Sequence, residues 1–220
     1  MSRVAVSILT CNNAYLGDAV LAAQAGGADM LHIDIVDGKY GGNYSFGPKT
    51  VADLKDLADI PVDVHLELFD PQLYIGQMVA AGADMITIQA DSTSCPLRAL
   101  AAIRGYGKKA GLGISPADSL SRLAYLAPHI DSLTLLSVEP GFGGQKPEES
   151  IYEKIKQAKE ILRGQNREIP VMVDGGVSKE TAPRYLASGA DILLAGSAVF
   201  PRNDVTGEEI TRAVAYYKGL

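Results

Sequence analysis

The 220-residue chain is predicted to fold as one α/β domain, a (β/α)8 barrel, and three features of the sequence predict it. Eight short apolar runs alternate with eight amphipathic segments of helical length. The tripeptide Gly-Ala-Asp recurs at Gly27-Ala28-Asp29, Gly82-Ala83-Asp84 and Gly189-Ala190-Asp191, each time after an alanine-rich segment and before an apolar run. Polar groups suited to chemistry stand at the C-terminal ends of the first, second, third and seventh runs. A barrel gathers those ends around one pocket. A doubly wound sheet is the structural alternative, and it explains that gathering less well.

The elements follow in order. Val4-Ala5-Val6-Ser7-Ile8-Leu9 predicts a strand over 4–9, followed by a helix over 15–26. The glycine of the first Gly-Ala-Asp fits that helix's C-terminus, where a left-handed residue is often needed. The apolar run after it fits a buried strand over 31–35. A helix over 48–58 and a strand over 62–66 come next. The second tripeptide joins a helix over 71–81 to a strand over 85–89. Helices over 96–106, 117–127 and 147–164 alternate with strands over 109–114, 132–137 and 170–174. The third tripeptide joins a helix over 178–188 to a strand over 192–196, and a helix over 205–218 closes the chain. No linker, low-complexity tract or second domain is visible, so residues 1–220 read as a single domain.

Bulk properties narrow the function. Hydrophobic residues make up 47% of the chain, enough for a full core. No run of about 18 apolar residues occurs, so a membrane partner is not expected. The chain enters strand-like sequence at once, without a signal-peptide pattern, and a cytoplasmic enzyme is the simplest class. Net charge is −6 and no lysine- or arginine-rich run appears, which argues against nucleic acid. Cys11 and Cys95 are the two cysteines, and free thiols are expected.

Three strand ends carry metal-binding groups: Leu31-His32-Ile33-Asp34, Val62-Asp63-Val64-His65 and Val171-Met172-Val173-Asp174. Residues two apart on a strand share a face, so His32 and Asp34 point the same way. Two imidazoles and two carboxylates form a ligand set for one divalent ion, with zinc, iron, manganese and cobalt all compatible. A lone histidine at a strand end is usually just hydrogen-bonded. Four such groups directed at one barrel mouth are costly without a cation or protons between them.

Glycine-rich loops supply a second constellation. Glu139-Pro140-Gly141-Phe142-Gly143-Gly144-Gln145 follows the sixth strand, Gly175-Gly176 the seventh and Gly196-Ser197 the eighth. One pair would read as ordinary turn glycines. Three sets after consecutive strands point to phosphate, which backbone N–H groups bind without lysines.

With these residues in view, the chain resembles the ribulose-phosphate 3-epimerases and their relatives acting on other ketose phosphates. The resemblance is carried along nearly the whole length. Its marks are Ser7-Ile8-Leu9, His32-Ile33-Asp34-Ile35-Val36-Asp37-Gly38, Asn43, Phe46-Gly47-Pro48 and Asp63-Val64-His65-Leu66. Further marks are Ser137 through Gln145, Val173-Asp174-Gly175-Gly176 and Ala195-Gly196-Ser197-Ala198-Val199-Phe200. It implies a TIM barrel of the ribulose-phosphate binding type, one divalent ion per chain held by His32, Asp34, His65 and Asp174, and a homo-oligomer. It implies that Asp34 and Asp174 are also the acid/base pair, Asp34 accepting and Asp174 donating a proton in one direction. Ser7, His65 and Asp174 would touch the substrate. Gly141, Phe142, Gly143, Gly144, Gly175, Gly176, Gly196 and Ser197 would hold its phosphate end.

Those residue types suit the reaction. A C3 proton beside a C2 ketone is weakly acidic, and a cation near O2 and O3 stabilises the enediolate left on its removal. Inversion then needs a base on one face and an acid on the other. The expected conversion is D-ribulose 5-phosphate to D-xylulose 5-phosphate, with allulose 6-phosphate/fructose 6-phosphate or a tetrulose phosphate as alternatives. A decarboxylase on a related barrel would carry Asp-x-Lys-x-x-Asp in the third strand, and Asp63-Val64-His65-Leu66-Glu67 has no lysine. A non-catalytic sugar-phosphate sensor would not need both Asp34 and Asp174.

The chain also departs from the family. Methionines usual near the metal are replaced by Val36, Glu67 and Leu136, and a common histidine by Gln89. Lys39-Tyr40-Gly41-Gly42-Asn43 and Thr10-Cys11-Asn12 also differ. Glu67 shares a face with Asp63 and His65 if the strand runs that far, and then enters the pocket and alters metal or sugar recognition; if the strand ends sooner, it turns to solvent.

Overall fold

The computed structural model describes residues 2–165 and 168–220. Among the described residues, eight parallel strands pair in chain order and close on themselves: β1 (Arg3–Ser7), β2 (Met30–Val36), β3 (Val62–Glu67), β4 (Met85–Gln89), β5 (Lys109–Ile114), β6 (Ser132–Leu136), β7 (Val171–Asp174) and β8 (Ile192–Ala195). Each is followed by a helix: α1 (Leu16–Ala25), α2 (Pro48–Leu57), α3 (Ile75–Ala80), α4 (Pro96–Gly105), α5 (Leu123–Leu126), α6 (Ile151–Arg163), α7 (Ala182–Ser188) and α8 (Gly207–Lys218). The expected barrel is therefore found. No helix among the described residues is long and apolar enough to cross a membrane, and both cysteines are free thiols.

Most expected elements fall within a few residues of their places, and the exceptions have local causes. The first strand stops at Ser7 rather than residue 9, because the Ser7 hydroxyl accepts the Leu9 N–H and caps a 3-10 turn over Ile8–Thr10. The helix expected over 117–127 breaks into a 3-10 turn capped by Ser119, the single turn α5, and a second 3-10 turn containing Pro128. Serine capping and proline both favour interruption over a continuous helix. Gly27, Gly82 and Gly189 have φ of 91°, 98° and 109°, the left-handed conformation expected after their helices.

The aspartate of each tripeptide has a further role. The Asp29, Asp84 and Asp191 carboxylates accept the main-chain N–H of Val4, Val62 and Val171 at 2.7, 2.8 and 2.7 Å. Asp131 does the same for Ala110 at 2.9 Å. Each aspartate's own N–H returns a bond to the same residue's carbonyl. Every odd strand is thus pinned at its start to the loop leading into the next even strand. Lys218, Lys55 and Lys159 pair with Asp29, Asp84 and Asp191.

Apolar side chains between sheet and helices form the main core. Inside the barrel the packing is different. Ala5, Met172, Ile192 and Leu194, with Met30 against them, form a small apolar cluster on the side of β1, β7 and β8. The facing strands contribute buried polar groups, among them His32, Asp63, His65, Thr87, Gln89 and Thr134. The lumen is therefore divided, and its polar half leads up to the mouth.

Candidate active site

Strand register builds the site. β2 and β3 pair His32 with Asp63, Asp34 with His65 and Val36 with Glu67. Partners across a ladder lie side by side, so alternation on the two strands makes one contiguous polar face. His32 Nδ1 contacts Asp63 Oδ2 at 2.9 Å, and its Nε2 lies 3.1 Å from Asp34 Oδ1 and 3.3 Å from His65 Nδ1. The Thr87 hydroxyl donates to Asp63 at 2.9 Å, which fixes the carboxylate that orients His32. Ser7 Oγ donates to Asp34 Oδ2 at 2.7 Å. From the far side of the lumen, β7 ends in Asp174.

His32, Asp34, His65 and Asp174 each offer one ligand atom, and all four atoms lie within 4.8 Å of one another. Ligands about 2.0–2.2 Å from a shared ion need only slightly smaller separations. The donor chemistry fits as well. His32 is bound through Nδ1 to a carboxylate, which leaves Nε2 for an ion and fixes the ring's tautomer. These four residues therefore suit a divalent cation.

The electrostatics describe the same cluster holding protons. Burial opposes charge on His32, yet the Asp34 and Asp63 carboxylates outweigh it and push its pKa well up. Burial likewise opposes charge on His65, but the hydrogen bond to Asp34 and the charge on Glu67 raise it. Asp34 is also disfavoured as an anion by burial, but the two imidazoles hold it well below the usual carboxylate range. Burial, reinforced by the Asp34 charge, pushes Asp174 up to about 6. The Asp34 and Asp174 carboxyls are thus held at different proton affinities, a pattern that suits an acid/base pair.

Above this cluster opens a pocket of about 530 Å³, counting space open to solvent. Ser7, Asp34 and Asp174 line it, as do all the glycine-loop residues singled out in the sequence: Gly141, Phe142, Gly143, Gly144, Gly175, Gly176, Gly196 and Ser197. Phe142 is 52% exposed at the rim. His32 and His65 lie fully buried in the barrel below. The loops are braced: Gln145 donates to the carbonyls of Glu139 and Phe142, Ser137 to that of Gly175, and Asn43 to that of Gly141. Gly141 must be glycine, since a Cβ there would stand 2.2 Å from the Gly41 carbonyl oxygen.

Three residues gain a definite place here: the sequence leaves Asp63 without a role, puts Thr10 in a pocket-facing loop that departs from the family, and leaves Glu67 between pocket and solvent. Asp63 holds His32, and its alternation with His65 was the available clue. Thr10 joins the pocket lining. Glu67 enters the pocket rather than solvent, because β3 runs through it. Burial pushes its carboxyl up to about 8; His65 pulls against this, while Asp34 and Asp174 add to it.

Fold and site together define a (β/α)8 barrel with a buried His and Asp donor group under a glycine-walled mouth. The ribulose-phosphate 3-epimerase family model matches residues 3–200, and the chain belongs to that family, an isomerase of the epimerase kind. It is 38% identical to ribulose-phosphate 3-epimerase of Bacillus subtilis (strain 168) over 205 residues, covering 93% of this chain and 94% of that protein. It is 36% identical to the chloroplastic ribulose-5-phosphate-3-epimerase of Arabidopsis thaliana over 203 residues, covering 91% of this chain and 72% of that one. Among solved structures, KGPDC from Streptococcus mutans superposes with a TM-score of 0.75 at 15% identity, covering 100% of this chain and 96% of the other. That likeness concerns the fold alone.

Proposed function

We propose that this protein is a metal-dependent 3-epimerase of a ketose phosphate, with D-ribulose 5-phosphate and D-xylulose 5-phosphate as its default pair. The observation that carries the reading is the convergence of Asp34 on β2 and Asp174 on β7 at one pocket, with His32 and His65 beside them. His32, Asp34, His65 and Asp174 would hold the ion. When bound, a divalent cation (zinc, iron, manganese or cobalt) supplies positive charge that stabilises an oxyanion developing at C2.

The chain's own residues do the rest. The glycine loops after β6, β7 and β8 offer backbone N–H groups to the phosphate and fix the sugar in register. Asp34 removes the C3 proton from one face, its charge favoured by the imidazoles and its orientation held by the Ser7 hydroxyl. Asp174, held protonated more readily, returns a proton to the opposite face. The roles exchange in the reverse direction. Residues 1–220 act in this reading as one barrel domain of a cytoplasmic homo-oligomer.

A panel of ketose phosphates (ribulose 5-phosphate, allulose 6-phosphate, a tetrulose phosphate) incubated with metal-loaded protein in heavy water tests it. Deuterium is expected at C3 of at least one. No exchange with any of them removes the epimerase reading and favours a sugar-phosphate sensor.

A further inference from the structure

We propose that Glu67 is a specificity-determining residue, accepting a hydrogen bond from the hydroxyl at the unphosphorylated end of the ketose. The inference deepens the epimerase reading and rests on it. Glu67 is the last residue of β3, 3% exposed, and lines the same pocket as Asp34 and Asp174. Its Oε1 lies 3.9 Å from His65 Nδ1, and its Oε2 is buried with no hydrogen-bond partner among the described residues. It stands outside the four-residue donor group, so the cation does not account for it. Its ladder neighbour Val36, and Leu136 in the same pocket wall, are apolar and buried, so neither side chain can supply a hydrogen bond.

A buried carboxyl oxygen without a partner is costly, and a ligand hydroxyl relieves the cost. Barrel order says which hydroxyl. β3 is four strands from β7 in either direction round the closed barrel, so Glu67 faces the glycine loops across the mouth. A ketose anchored there by its phosphate, with C2 and C3 over the Asp and His cluster, brings its C1 hydroxymethyl group toward β3. A carboxyl oxygen accepts that hydroxyl's hydrogen in either protonation state, so the contact needs no particular charge on Glu67.

The test compares kcat/KM for C3 exchange of the ketose phosphate that exchanges fastest in the panel and its 1-deoxy analogue, in wild type, Glu67→Gln and Glu67→Met. The intrinsic reactivity difference between the substrates is common to all three proteins, so the change in their ratio isolates the contact. The wild type is expected to prefer the hydroxylated substrate by at least about tenfold. Glu67→Gln, whose amide oxygen still accepts, keeps that ratio within about threefold, while Glu67→Met lowers it about tenfold. An unchanged ratio in Glu67→Met overturns the proposal. The C1 hydroxyl withdraws electrons and so favours the hydroxylated substrate intrinsically; equal kcat/KM for the two substrates in wild type therefore overturns the proposal without any variant, which covers the case of a variant that fails to fold. Exchange of no ketose phosphate in the panel by wild type overturns the epimerase reading and this inference together; exchange of the tested pair with an invariant ratio overturns this inference alone.

Discussion

Asp34 and Asp174 have nearly opposite surroundings, though both are aspartates at strand ends. Asp34 accepts from Ser7 and sits between two imidazoles, whereas Asp174 faces the Asp34 charge across the lumen. Replacing either by Asn keeps the shape and removes proton transfer, so Asp34→Asn and Asp174→Asn are each expected to lower kcat by about 10²–10⁴-fold with the circular dichroism spectrum unchanged. Near-native turnover in either variant contradicts the two-carboxylate mechanism. Asp63 acts at one remove: Asp63→Asn weakens its hold on His32 and is expected to cost about 10–100-fold in divalent-ion affinity, measured by titration calorimetry. The four ligand candidates were legible because period-two alternation survives any small error in strand boundaries. Glu67 was not legible, because its position depends on β3 continuing one residue past Leu66. The part played by Asp63 depends on the β2–β3 register, which a single strand's pattern does not contain.

Elements were most legible where glycine and a buried strand met. Each Gly-Ala-Asp joint marks a helix end because only the left-handed conformation turns the chain there, and the aspartate then bonds the neighbouring strand. Gly189→Ala places a side chain at φ 109°, with its Cβ 3.2 Å from Lys159 Cγ. The expected cost is about 1–2 kcal/mol, seen as a Tm lower by about 2–8 °C. Turnover at 25 °C should hold, since the joint lies at the barrel's base; an unchanged Tm would show that the backbone relaxes freely. The fourth aspartate, Asp131, follows Ile130 rather than a Gly-Ala pair, so the repeat in sequence understates the repeat in structure. The segment over 117–127 misled for the opposite reason: its apolar spacing suits a helix, but Ser119 and Pro128 interrupt it.

At the scale of the whole molecule, the polar half of the lumen links stability to protons and, in the proposed reading, to metal. In the metal-free protein, Glu67 is raised from 4.5 to about 8 and Asp174 from 3.8 to about 6. Carboxyls with folded values above their unfolded values bind more protons when folded. Their contribution is fully present below about pH 4 and is lost as pH rises through 6 and then 8. The raised histidines add to the same trend above their unfolded value of 6.5. Asp34 acts oppositely, but only as pH falls below about 4. The Tm of chelator-treated protein is therefore expected to fall from pH 5 to pH 8, with Glu67→Gln flattening the upper part. A divalent ion at saturating concentration is expected to raise Tm by binding the folded state, and activity lost on chelation is expected to return with it. A flat Tm across that range, or full activity without metal, counts against the site.

The four aspartate pins at the barrel's base also divide the chain's connectivity into strand–helix–strand pairs, β1 with β2 through β7 with β8. The termini lie together, with the Ser2 hydroxyl bonded to the Tyr217 carbonyl, so they can be joined and the chain reopened elsewhere. A circular permutant opened at Gly107 falls between pairs and leaves every pin closed within its own short segment. One opened at Gly82 splits a pair, and the Val62–Asp84 bond must then close across nearly the whole chain. The first is expected to melt higher than the second. That ordering would make the unit of assembly the pair, with the circle of eight built from four.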